Sequence, residues 1–169
     1  MPLRDALLPE LEMEMAGTRK TLERVPQEKF EWRPHDKSTK MGPLAMHLAQ
    51  LPAWVAVTLN EKSMDLEPVG GPAYTPAEPE SSRQVLETFD RGLAEAREAL
   101  NAVQDAKLFE SWSLLRGGKT LFTLPKIAVL RSFVLNHNVH HRAQLGVYLR
   151  MNDIPVPSLY GPSADEAGM

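Results

Sequence analysis

The sequence predicts an all-α protein, a four-helix bundle, and three observations lead there. Four stretches of the 169-residue chain repeat apolar side chains at helical spacing. Proline-rich or glycine-rich connections separate them. Strand signals are confined to one short segment before the last helix. Long helices with so little strand can bury their apolar stripes only against one another. The length suits a single domain over residues 1–169, large enough to enclose a core.

The first helix is read over residues 3–25, with Leu7, Leu8, Leu11, Met15, Thr18 and Leu22 on one face and Pro26 stopping it. An extended loop, 30–38, is fixed by Pro34 and leads to a second helix over 41–60. Pro43 is tolerated in the first turn, whereas Pro52 removes a backbone hydrogen bond and bends the helix. Residues 61–80 carry Pro68, Gly70, Gly71, Pro72, Pro76 and Pro79. A loop that long is often functional or lies over a site. The third helix starts at Ser81 or Ser82, whose hydroxyls offer N-caps, and runs over 82–106 with Val85, Phe89, Leu93, Ala96 and Leu100 aligned. In 112–122, Gly117-Gly118 sits between two short apolar runs, the mark of a small hairpin or irregular turn packed on the helices. The fourth helix covers 125–151 and ends at Asn152, Asp153 and Pro155. The tail, 155–163, is irregular and lies over the bundle.

Composition removes several function classes. The net charge is -3, with 19 basic residues scattered among 22 acidic ones, so nothing favours a nucleic-acid partner. No apolar run reaches the roughly 20 residues of a bilayer span, so no membrane partner is expected. The first ten residues turn acidic before any hydrophobic stretch develops, which argues against a signal peptide and points to the cytoplasm. Without cysteine, disulfides, thiolate metal sites, iron–sulfur clusters and a cysteine nucleophile are excluded. A metal would have to be held by imidazole, carboxylate or water, which suits Zn, Ni, Fe or Mn.

Three of the five histidines fall in Asn136-His137-Asn138-Val139-His140-His141-Arg142-Ala143-Gln144. His137 and His141 are four residues apart, so their rings project from one helix face. They continue the stripe Ile127, Leu130, Val134 and Tyr148, where two adjacent imidazoles rarely find protein partners for every nitrogen. A metal ion resolves this by accepting both lone pairs. His140 lies about 100° further round the helix and is read as a residue beside the ligands. The third ligand is expected from His47, which shares the apolar face of Leu44, Leu48, Leu51 and Val55. Gln144, one turn beyond His141, either orients a ligand by hydrogen bonding or bonds between helices. Arg142 points away from the stripe and is expected in a structural ion pair. His35 reads as solvated, and Trp32, Trp54 and Trp112 as core anchors.

Three neutral imidazoles leave an open coordination position. Water there would acidify towards a pKa of roughly 7, and a thiolate from a small cosubstrate could bind instead. Asn138 stands where the zinc-protease pattern His-Glu-x-x-His needs glutamate, which counts against peptidase chemistry. Two functions stay open: a small metalloenzyme acting on a small-molecule substrate, or a non-catalytic stress or binding protein with a structural metal.

His47, His137-x-x-x-His141 and the run His141-Arg142-Ala143-Gln144-Leu145 resemble the DinB family of damage-inducible-type bacterial proteins. So do Trp32-Arg33-Pro34 and Val156-Pro157-Ser158-Leu159-Tyr160-Gly161, and the likeness covers nearly the whole chain. It implies an up-down-down-up four-helix bundle with a long crossover, often a homodimer. It also implies a divalent metal, commonly Ni or Zn, on His47, His137 and His141. Relatives in the wider superfamily include metal-dependent hydrolases and transferases or isomerases that use a low-molecular-weight thiol. The family name does not imply DNA binding.

Overall fold

A computed structural model describes residues 1–166. The last three positions of the expected 1–169 domain lie outside the described residues. The chain is mostly helical, with elements in the order α1 (Arg4–Leu22), α2 (Met41–Gln50), α3 (Ala53–Asn60), β1 (Ser63–Asp65), α4 (Ser82–Ala102), α5 (Asp105–Leu108), β2 (Ser111–Arg116), β3 (Lys119–Pro125), α6 (Lys126–Val129) and α7 (His137–Met151). A π-helical stretch, Leu130–Asn136, joins α6 to α7. No helix among the described residues is long and apolar enough to cross a membrane.

The core is where α1, α2, α4 and α7 meet. Leu11 and Met15, Leu44 and Leu48, Phe89 and Ala96, and Leu145 and Leu149 are all buried there. The expected second helix is two helices. Pro52 has no N–H to give, and the chain turns through tight bonds from Leu51 N to Leu48 O and from Trp54 N to Leu51 O. Gly92 of α4 backs onto this joint. A Cβ there would stand 3.0 Å from the Ala53 nitrogen, so the two helices approach this closely only over a glycine. Ser81 caps α4, its hydroxyl accepting from Gln84 N at 3.1 Å. Helix α4 stops at Ala102 rather than near 106, and α5 is a separate turn.

The all-α expectation needs correcting, because three strands form a small sheet in the order β1-β2-β3. Strands β2 and β3 are the antiparallel hairpin read from Gly117-Gly118, and both glycines have positive φ (59° and 74°), as a two-residue hairpin turn demands. Strand β1 pairs parallel to β2, with Ser63 opposite Ser113. Three residues inside a proline-rich loop are too few to show alternation, so no periodicity marks this strand. The Asp65 carboxylate ties the sheet together by accepting from the backbone N–H groups of Glu67, Gly117 and Gly118 at 2.8–3.0 Å.

The last helix begins where Lys126, itself buried, donates from Nζ to the Leu59 carbonyl at 2.9 Å. That bond closes the C-terminal end of α3, where a cation also complements the helix dipole.

Candidate metal centre

The phase of the last helix decides which side chains meet. Its buried stripe runs Leu130, Val134, Asn138, Arg142, Leu145 and Leu149. Three successive steps of four residues drift by about 40° each on an α-helix, and the wider i→i+5 turns of the π-helical stretch absorb this drift. Asn138 and Arg142, not His137 and His141, therefore occupy the centre of the buried stripe, which corrects the expected phase. The two histidines are half-buried at its edge and turn towards α2.

Helix α2 supplies His47 from among buried Leu44, Ala45, Met46, Leu48 and Ala49. The three imidazoles come together with ring centroids 4.9 Å (His47–His137), 4.8 Å (His47–His141) and 4.6 Å (His137–His141) apart. One ring nitrogen from each lies within 4.8 Å of the others. The Nε2 atoms of His47 and His137 are 3.1 Å apart.

Burial lowers the pKa of all three rings. His47 is pushed down to about 4, by burial first and then by the charges His137 and His141 would carry. His137 is lowered by burial and by His141, against a bond to the Phe133 carbonyl that raises it. His141 is lowered by burial, against its bond to Gln144. All three are thus neutral at pH 7, each with one lone pair. Nδ1 of His141 lies 3.0 Å from Gln144 Oε1 and donates to it, so its Nε2 is left as an acceptor. The Nε2 atoms of His47 and His137 face one another at hydrogen-bond range, and a cation between the rings would take the lone pair that each neutral imidazole carries. The donor set fits a single divalent ion with nitrogen ligands.

A line of contacts fixes His141 from behind. Gln144 Nε2 donates to Tyr148 Oη at 3.2 Å, and Trp32 packs edge-on against the Tyr148 ring at 5.4 Å. The Trp32 carbonyl in turn accepts from Met41 N at 2.8 Å, at the start of α2. The loop containing Trp32-Arg33-Pro34 therefore links the two helices that carry the histidines.

His47 and His137 also border a cavity of ≈ 380 Å³. Trp112, Leu114 and Arg116 line it from alternate positions of β2, and Phe122 lines it from β3. Leu66, Glu67, Tyr74 and Pro76, from the long 61–80 loop, complete one side. The loop lies over the site, as its length suggested. Leu66, Glu67, Tyr74 and Pro76 were signalled only by the loop's length, Leu114, Arg116 and Phe122 by nothing in the sequence, and Trp112, expected as a core anchor, lines the cavity as well.

The remaining candidates lie elsewhere. His140 is exposed, its ring edge-on to His141 at 4.8 Å. His35 is exposed, and its Nδ1 accepts from Lys37 N. Arg142 does form an ion pair, but a buried one: Nη2 lies 2.7 Å from Glu14 Oε2, and Tyr160 Oη donates to the same oxygen at 2.6 Å. Trp112 is buried, whereas Trp32 and Trp54 are only partly so.

Comparisons with known proteins agree with this architecture. The model of the DinB family matches residues 4–168. A DinB-like protein from Bacillus cereus ATCC 10987 superposes with a TM-score of 0.71 at 20% identity, covering 92% of this chain and 97% of that one. A DinB-like protein from Bacillus subtilis gives 0.68 at 15% identity, covering 91% and 97%. Among curated proteins, no match is found.

Proposed function

Because the chain belongs to the DinB family, we propose that it is a divalent-metal protein whose metal is held by His47, His137 and His141 and whose reaction is a metal-dependent hydrolysis or a thiol-dependent transfer or isomerisation. One observation carries this reading: three neutral imidazoles from two helices converge beside a cavity that two of them border. Nickel or zinc suits three nitrogen donors, and iron or manganese is tolerated by them. A divalent ion bound there supplies Lewis acidity to water or a thiol at its open position.

The chain's own residues perform the rest. Gln144 holds the tautomer that leaves Nε2 free on His141. Tyr148 and Trp32 keep Gln144 in place. The apolar walls exclude water from one side of the histidines, so a bound reactant meets a site of low dielectric. We read the long helices as an up-down-down-up four-helix bundle with the sheet as an addition over the metal end.

The test pairs metal analysis with activity. Purified protein is expected to carry close to one divalent ion per chain, and His137→Ala to lose it while keeping its helical spectrum. The loaded protein is then screened for ester hydrolysis and for transfer from low-molecular-weight thiols. Stoichiometric metal with neither activity, and with every coordination position filled by protein, would turn the reading to a structural metal in a binding protein.

A further inference from the structure

The cavity wall restricts what can reach the histidines. The charged or basic side chains lining it are four. His47 and His137 are half-buried and mark its inner end. Glu67 and Arg116 are paired at 3.3 Å with side chains 55% and 57% exposed, and they mark its mouth. Leu51, Trp54, Leu114, Phe122, Val129 and Phe133 line the space between. Tyr74 adds a ring and one hydroxyl, while the Trp112 Nε1 is buried and out of reach.

These walls are fixed by packing. Phe122 stacks on Phe133 with centroids 4.6 Å apart and planes at 15°, and Trp54 meets Tyr74 edge-on at 6.3 Å. Leu114 and Phe122 are paired across β2 and β3, so the hairpin presents both together. A volume of ≈ 380 Å³ is at the small end of ligand pockets. It takes a compact molecule or group.

Resting on the reading of the histidines as a metal centre, we propose that the cavity selects a small substrate with an aryl or branched-alkyl body. One thiol or hydroxyl head faces His47 and His137, and any charged group stays at the Glu67–Arg116 mouth. A hydroxyl-rich molecule is selected against, because each of its hydroxyls would lose water and find carbon opposite. The aromatic faces favour an aryl body through stacked and edge-on contacts.

The test uses cobalt(II)-loaded full-length protein titrated with two thiols that both fit within the cavity volume, benzyl mercaptan and 1-thio-β-D-glucose, following the thiolate-to-cobalt absorption band. Benzyl mercaptan is expected to bind about tenfold more tightly or better, and Leu114→Asn to bring the two towards parity. Phe122→Ala serves in the same way if the Asn variant does not fold. Equal affinities, tighter thioglucose binding, or a preference unmoved by both wall substitutions would overturn the proposal. If no cobalt is taken up, the metal reading fails separately. The cavity is then tested on metal-free protein with ethylbenzene, followed by tryptophan fluorescence. Saturable binding weakened by the same substitutions upholds the ligand class, and absence of binding overturns it.

Discussion

Each of the three histidines depends on a different neighbour. His141 relies on Gln144 and His137 on the rings of His47 and His141, whereas His47 is held chiefly by the buried face of α2. Replacing Gln144 by Leu is expected to weaken metal binding by about 10–100-fold, as loss of an outer hydrogen-bond partner does. His47→Ala should abolish stoichiometric binding, and His140→Ala should leave it intact. Competition with a chelating dye measures all three. A pH dependence follows from the same rings. Above pH 6.5 the ring of His47 is neutral whether the chain is folded or not. Below that, the unfolded chain takes up a proton that the fold resists until about pH 4. The stability of metal-free protein should therefore fall as pH drops through this window, with the lowered His137 and His141 adding in the same direction. Urea midpoints at pH 7 and pH 5 measure the slope, and His47→Leu should flatten it.

At the scale of elements, two clasps hold the site's surroundings. Asp65 joins β1 to the hairpin turn through three backbone N–H groups. Asp65→Ala is expected to speed hydrogen exchange at Gly117 and Gly118 while leaving metal affinity nearly unchanged. Arg142 clasps α7 to Glu14 of α1 and is capped by Tyr160 from the tail. Removing one partner of a buried pair costs about 3–5 kcal/mol, so Arg142→Met should lower the chemical-denaturation midpoint strongly. These elements also show what a sequence can disclose. Helix spacing brought out His137 and His141, and the apolar face of α2 brought out His47, because side-chain period is a local property. The π-helical stretch is invisible to a 3.6-residue period, so the stripe appeared centred on the histidines when Asn138 and Arg142 hold the centre. Strand β1 was hidden for a different reason: it exists only because β2 offers it a partner.

Across the whole molecule, one ion between α2 and α7 would tie together elements that are 90 residues apart in sequence. Binding to the folded state alone, at a free-metal concentration one hundred times Kd, adds about 2.7 kcal/mol. Chelation should then lower the Tm by about 5–10 °C for a chain of this size. A crystal structure of metal-loaded protein, with anomalous scattering recorded at the metal's absorption edge, tests whether the three histidines hold the ion. The expected result is one anomalous peak within about 2.0–2.2 Å of a ring nitrogen of each of His47, His137 and His141, with at least one position not filled by protein. A peak elsewhere, or none at these histidines in protein shown by analysis to contain the ion, would contradict it.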